Sequence, residues 1–559
     1  MPIQDTLSPM TRDPNRSPAT RGVSNASTIT SSNARRPNRL TTVNLDVQTH
    51  IMSFLSRRDL SAFMRTCRYF LHACLLPLCA RSGALLHDVT LAGVPSFCRF
   101  LRINAGPSSR AHLIKELWIA VRDTQYRFHK LVIDRGLAAT RRHWSAAFLD
   151  ILRHCSNVRR LRIDLWFDDD TPFPLFVNTL TLLEHLEDLT LYLPQRLQDA
   201  EVNTLRKLAP LPLRNLAFLK CSEISPRLEH APVPLEGLPR SLVRLDIDVC
   251  TPVDDPFPMV QTLGVRVATS HTFVADATAA FPNLTQLILR RHVRGDLCFG
   301  GPDPLIYCAR THNKIQWQSQ YREAWPSLSA VWVVDLCMLY TVGFSRQIPS
   351  ISIPFRKQRE ETYVAPVLAD TSPSFLELRV AIDHHLPIPP VDWQSHFGPS
   401  ASSVLRLKFL FETENHDRPW DDDLTEGLFD DLCAMLSAFR SLTHMLIKFT
   451  PMKTPYYPDV EWPPLFREEA LAVEAAIQKY LPLFAKACGS LQWVAFDVYD
   501  MGLQCWEISR AGGGEEGQGK SSLWTKTSNN VGMEVLRREG MDAFGDVRPL
   551  LITVWSRLR

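Results

Sequence analysis

A charge bias is the first thing this chain lacks: 62 Lys and Arg stand against 59 Asp and Glu over 559 residues, a formal net charge of +3. Proteins that grip nucleic acid usually carry a strongly basic face, so that class is disfavoured. Long apolar runs are missing as well. The longest, Ala330 to Phe344, is about 15 residues and is interrupted by Asp335, short of the roughly 18 that a bilayer requires. The amino terminus, MPIQDTLSPMTRDPNR, has no apolar run behind a basic start, which argues against a secretory signal. Its 13 cysteines, an odd number without a CxxC pair, fit reduced thiols better than a disulfide framework. A soluble protein of the cytoplasm and/or nucleus, with no membrane and no nucleic acid among its partners, is the expectation.

Catalytic signatures are absent too. No nucleophile elbow, HExxH or kinase motif occurs. One lookalike stands out: Gly514 to Ser521, GEEGQGKS, fits the phosphate-cradling pattern GxxxxGK(S/T). Its setting is wrong, because the following SLWTKTSNNVG is polar and broken, a poor core helix, and Glu515 and Glu516 put negative charge where phosphate must go. The segment reads as a flexible surface loop. His292, Cys298, Cys308 and His312 lie near one another, but only Cys308 and His312 have a zinc-like interval, and structural zinc sites need such pairs at both ends. The acidic stretch Glu412 to Asp431 lacks the spacing of a calcium loop. Leu424, Leu428, Leu432, Met435 and Phe439 follow at helical intervals, so its aspartates charge a helix amino terminus. No metal and no cofactor is expected.

The chain is 45% hydrophobic and 22% charged, enough to bury a large core. Residues 1–39 are rich in Ser, Thr, Asn, Arg and Pro, lack periodicity, and read as a disordered basic tail. Further on, a hexamer recurs: a hydrophobe, two residues, a hydrophobe, one residue, a hydrophobe. Copies begin at Ile114, Val158, Leu186, Leu213, Leu242, Val260, Leu284, Leu328, Phe375, Val404, Leu442 and Leu491. Twelve in order form the LxxLxL strand signal of leucine-rich repeats, and amphipathic stretches such as AAFLDILRHC and EEALAVEAAIQKYLPLFAKAC separate several of them. Helix then strand, repeated, predicts an α/β solenoid with parallel strands and outer helices. The spacing is irregular, and residues 293–327, 343–373 and 501–530 read as insertions or loops. CWEISR and SLWTK, flanking the Gly-rich break, could pair as a hairpin that caps the last open core.

Alternation within each hexamer sends hydrophobes into one core and the residues between them to the other face. On the expected concave sheet those outward positions include Arg160, Arg162, Asp164, Tyr192, Arg244, Asp246, Asp248, Arg266, Arg290, Trp332, Arg379 and Lys408. Arginines and aromatics are common anchors at protein interfaces, so Arg160, Arg162, Tyr192, Arg244, Asp246, Arg266, Arg290 and Trp332 are the candidate substrate-binding set.

Val43 to Cys74 carries two short amphipathic blocks, Val47, Ile51, Phe54 and Leu55, then Leu60, Phe63, Met64 and Cys67. An element this small rarely holds a core alone, so it leans on a neighbour or a partner. Val43-Asn44, Asp46-Val47, Ile51, Phe54-Leu55, Asp59-Leu60, Cys67-Arg68 and Phe70 follow in order the pattern of the F-box family, which this segment resembles; Val43-Asn44 stands where the family usually has Leu-Pro. The resemblance implies a trihelical F-box over residues 40–86 that docks a Skp-type adaptor, and through it a cullin, by way of Val43, Asp46, Val47, Ile51, Phe54, Leu55 and Leu60. Residues 87–559 would then form an irregular leucine-rich-repeat horseshoe that binds a protein substrate for an SCF-type ubiquitin ligase, a non-catalytic role. In style the chain is similar to the expanded F-box families of fungi. The alternatives are a non-ligase scaffold in which the small helices cap the solenoid, and an enzyme that uses the Gly-rich loop.

The loop reading has a direct test. A true phosphate cradle at 100-fold excess of ATP over its dissociation constant gains about 2.7 kcal/mol of folding stability. The expected result is no magnesium-dependent thermal shift with ATP or GTP, and none altered by Lys520→Ala; a shift that disappears in that variant would restore the enzyme reading.

Overall fold

A computed structural model describes residues 47, 50, 52, 62, 84–89, 98–99, 101–102, 110–121, 146–164, 173–193, 203–220, 235–249, 253–267, 273–290, 304–355, 361–382, 396–413, 422–451, 467–498, 502–510 and 522–541. The chain divides into two compact units, Met1–Pro77 and Leu78–Arg559. In the first, Val47, His50, Met52 and Ala62 are helical, with Met52 buried and Val47 48% exposed.

The second unit is built on one α/β sheet of sixteen strands, ordered along the sheet as they occur along the chain. The strands are β1 Ala84–Val89, β2 Glu116–Val121, β3 Arg160–Asp164, β4 Asp188–Leu193, β5 Asn215–Lys220, β6 Arg244–Val249, β7 Thr262–Val267 and β8 Gln286–Leu289, then β9 Ala330–Val333, β10 Ser350–Phe355, β11 Phe375–Ile382, β12 Arg406–Thr413, β13 His444–Pro451, β14 Trp493–Val498, β15 Gly502–Arg510 and β16 Ser522–Thr527. Pairing is parallel from β1 to β14 and antiparallel between β14, β15 and β16, so the sheet is open and ends in the expected hairpin.

All twelve hexamers become strands, and the first hydrophobe of each shows why. Ile114, Val158, Leu186, Leu213, Leu242, Val260, Leu284, Val404, Leu442 and Leu491 are fully buried two residues before their strands. The residue just ahead of a strand then offers its carbonyl to two successive N–H groups of the next repeat. Lys115 accepts from Arg159 and Arg160, Glu187 from Arg214 and Asn215, Gln261 from Thr285 and Gln286, Leu405 from Thr443 and His444. Hydroxyls reinforce the same carbonyls: Thr285 Oγ1 donates to Gln261 at 3.0 Å and Thr443 Oγ1 to Leu405 at 3.0 Å. This fork fixes register, and register decides which face each side chain enters.

Inward positions make a single apolar core from Cys98 to Ile508. Leu245 and Ile247, Leu263 and Val265, Leu287 and Leu289 succeed one another across it. Helices cover that face: α1 Phe173–Leu180, α2 Phe273–Ala280, α3 Pro304–Ser319, α4 Leu336–Val342, α5 Glu361–Thr371, α6 Asp422–Leu436 and α7 Arg467–Ala487. Their apolar stripes point into the core, as with Phe173, Phe176, Val177 and Leu180 of α1. Residues 146–152 are helical and contribute Phe148, Ile151 and Leu152. α4 is bounded by chemistry legible in the sequence: Asp335 accepts from the Cys337 N–H at its start, and Gly343, at φ 62°, ends it. A side chain at Gly343 would also meet the Arg310 carbonyl and Lys314, so two constraints demand glycine.

Three expectations are corrected. Residues 343–373 are not an insertion but a full repeat, β10 with α5; Ile348, Ile351 and Ile353 are its hexamer. Pro354 hides this strand in the sequence, since proline cannot donate to a ladder. The structure tolerates it because the Ser350 N–H points to β9, the N of Pro354 points the same way, and the pairing of β10 with β9 has already ended at Ser352, with the Val333 carbonyl taken by Arg379. The FLELRV copy is offset, since Leu376 and Leu378 face the helices while Phe375 joins a second apolar cluster on the other face. Finally, the SNNVG segment dismissed as a poor helix opens α8, Asn529–Arg538.

Removing buried side-chain volume tests this packing. Leu287→Ala should cost about 2–5 kcal/mol in denaturant unfolding followed by tryptophan fluorescence. A loss below about 1 kcal/mol would take Leu287 out of the packed core.

Candidate functional site

Helices α1 to α7 occupy one face of the sheet; the other is here called the far face. Register aligns one row across it. Its amino-terminal part runs Trp118, Arg162, Thr190, Ala217 and Asp246. Gly264, Ile288 and Trp332 continue it, and Ser352, Glu377, Lys408, Leu446 and Ala495 complete it.

At the amino-terminal end the row is accessible. Arg162 is half-buried and its guanidinium stands 4.2 Å from the centre of the Trp118 ring, a cation–π contact. Beside it the exposed Arg160 bridges two carboxylates, Glu116 Oε1 at 3.0 Å and Asp188 Oδ2 at 3.0 Å. Arg160 is therefore already neutralised by its sheet neighbours.

In the middle the row closes. Asp246 is 1% exposed, with Arg290 Nη2 2.8 Å from its Oδ1 and Arg244 Nε 3.7 Å from its Oδ2. Asp246 sits on β6 and Arg290 directly follows β8, and β7 lies between them. Gly264 makes the crossing possible: a Cβ there would fall 1.6 Å from Asp246 Oδ1. Trp332, next in the row, is also buried, and the Arg379 guanidinium lies 3.9 Å over its ring while donating to the Val333 carbonyl.

The next ion pair is as deeply placed. Glu377 and Lys408 are each 1% exposed, 2.9 Å apart, and Ser352 Oγ donates to Glu377 Oε1 at 2.8 Å. Over this end lies α8. Leu536 and Met541 pack with Leu446, Trp493, Ala495 and Cys505 in the second apolar cluster, with Leu503 and Val535 at its edge. Lys408 Nζ donates to the Met541 carbonyl at 3.3 Å and Arg406 to the Glu539 carbonyl. Arg537 and Arg538 occupy the last turn, where positive charge suits the helix dipole. Burial, aided by the charges of Arg538 and Arg406, holds the His444 imidazole below its ordinary range, with Glu539 opposing.

Of the candidate set, Arg244, Asp246 and Arg290 meet in one cluster, and Arg160 with Arg162 form a second. Asp246, Arg290 and Trp332 do not stand open to a partner as expected, because they are spent on one another and their neighbours and are buried. Tyr192 and Arg266 lie within β4 and β7, with side chains outside the described residues, as are those of Asp164 and Asp248. Val43, Asp46, Ile51, Phe54, Leu55 and Leu60 also lie outside the described residues, leaving Val47 the one adaptor candidate with a described position. Sequence reasoning overlooked Glu377, Ser352 and Arg406; a charged residue at an outward strand position reads as solvated unless something is known to lie over it.

Four of the described thiols are set against use as nucleophiles. Burial pushes the thiols of Cys98 and Cys505 up to about 11 and those of Cys155 and Cys433 up to about 12, opposite to activation. Among the described residues no group of three His, Cys, Asp or Glu side chains could hold a metal ion, and no helix is long and apolar enough to cross a membrane. Residues Gly514 to Ser521 lie outside the described residues, but Ser522, which follows them, begins a strand where a phosphate cradle requires a helix. A scan against protein-family models finds no match to the chain, and a search of the curated proteins finds none either.

The buried pair makes a quantitative prediction. Asp246→Ala leaves Arg290 charged and buried without that carboxylate, a change worth about 3–5 kcal/mol. Asp246→Leu combined with Arg290→Met should recover most of the loss, as measured by urea unfolding. If the double variant costs the sum of the singles, the two charges are not coupled.

Proposed function

We propose that this protein is a non-catalytic receptor that couples a protein substrate to an SCF-type ubiquitin ligase, with an F-box at residues 40–86 docking a Skp-type adaptor and the sheet unit binding the substrate. The observation that carries it is the unbroken series Asp46-Val47, Ile51, Phe54-Leu55, Asp59-Leu60, Cys67-Arg68 and Phe70 ahead of a long parallel sheet. Repeat architectures of this kind present extended surfaces for protein partners, which supports reading residues 87–559 as an irregular leucine-rich-repeat solenoid. Its Arg160, Arg162 and Trp118 give the far face an accessible aromatic and guanidinium patch, the side-chain types enriched at binding hot spots.

The adaptor interface is the point to test. A carboxylate placed in a small apolar interface is desolvated without a partner and costs several kcal/mol. Leu55→Asp should abolish co-purification with a Skp-type adaptor and cullin, while the unfolding of the sheet unit is unchanged. Adaptor capture that survives the substitution would leave the scaffold reading in its place.

A further inference from the structure

α8 differs from α1 on the other face in what it covers. α1 buries Phe173, Phe176, Val177 and Leu180 into hydrocarbon, whereas α8 buries only Gly532 and Leu536 within its own length and lies beside the charged pair Glu377 and Lys408. A permanent lid buries a broad apolar stripe, whereas α8 sets only Leu536, with Val535 at the edge, on the apolar floor of Leu446, Trp493, Ala495 and Cys505, so little area holds it closed. The carboxyl end of α8 is moreover held through main-chain carbonyls, Glu539 by Arg406 and Met541 by Lys408. Carbonyls are common to any helix end. What specifies α8 is small: Gly532 lets the helix approach Cys505, since a Cβ there would fall 2.2 Å from the Cys505 Sγ, and Leu536, four residues on, enters the apolar cluster.

We propose that the far face of β12–β15 is a receptor for the carboxyl end of a short amphipathic helix, and that α8 is an intramolecular occupant which a substrate helix of the same kind displaces. The inference rests on reading the far face as the substrate surface. Such a helix carries a small residue where α8 has Gly532, an apolar residue four positions later, and free carbonyls at its end for Arg406 and Lys408. Occupation by the chain's own segment keeps the site closed to weak ligands, since a tethered occupant competes at an effective concentration in the millimolar range.

A synthetic fluorescein-labelled peptide spanning residues 528–541 is the probe, titrated against the full chain and against Gly532→Val, which cannot seat its own helix. The variant should bind the peptide at least about 100-fold more tightly than the parent chain, from the release of that competition. Amide hydrogen exchange on the parent chain is the companion measurement: α8 should exchange at least about 100-fold faster than β12 and β13 beneath it, through local opening. A folded Gly532→Val chain that ignores the peptide overturns the proposal. So does exchange in α8 as slow as in those strands, which decides the matter if the variant does not fold. Adaptor capture by Gly532→Val, measured in parallel, reports on the ligase reading alone, so failure of one is not failure of the other.

Discussion

One main-chain device organises this sheet: the carbonyl just before a strand that accepts two N–H groups from the following repeat. It recurs from Lys115 to Thr443. Because it links a repeat only to its successor, each strand pairs with its neighbours in sequence and with nothing else in the sheet. The architecture is thus a sum of local steps, in which a buried Leu, Val or Ile two residues ahead of most of the parallel strands anchors the fork and the alternation of the strand distributes its side chains. Connections can then vary in length without cost to the pairing, and the irregular spacing of the hexamers is the sequence image of that freedom.

The two faces solve different problems. Hydrocarbon fills most of the helix-covered side, with Arg310, Asp370 and Asn313 tying α3 to α4 and α5, so its energetics follow mainly from area and packing. On the far side ionic groups are buried in pairs, Asp246 with Arg290 and Glu377 with Lys408, each beside a further polar contact from Arg244 or Ser352. Such pairs contribute little net stability compared with apolar replacements, yet losing one member is expensive, so they make the far face intolerant of single changes. Gly264 shows how tightly this is built: the absence of one Cβ opens the path by which a carboxylate crosses a whole strand.

Much of the fold was legible in the sequence, and the reasons differ by element. Eleven of the twelve hexamers gave their strands in register because their first hydrophobe is buried just ahead of the strand, a constraint local in sequence. β10 escaped because Pro349 and Pro354 mask it, and only the early end of its pairing with β9 explains why a proline is admitted. The candidate site was half legible. Alternation placed Arg160, Arg162, Arg244, Asp246 and Arg290 on the intended face, but whether a side chain there meets water depends on what neighbouring strands set beside it, as Arg290 does for Asp246 across Gly264. No periodicity in Lys408 or Glu377 announces Met541, and α8, polar and interrupted by Gly532, has no stripe broad enough to declare what it covers.

The contact between Lys408 and Met541 spans 133 residues, far more than the step from one strand to the next. A ribosome adds about 5–20 residues each second, and domains form as they emerge. Strands β1 to β14 can therefore assemble in order behind the growing chain, but α8 cannot close until roughly 7 to 27 s after Lys408 has left the tunnel at that rate. For that interval the Glu377–Lys408 pair and the apolar floor around Leu446 lie without their α8 cover, so a newly made molecule presents a different surface from a finished one.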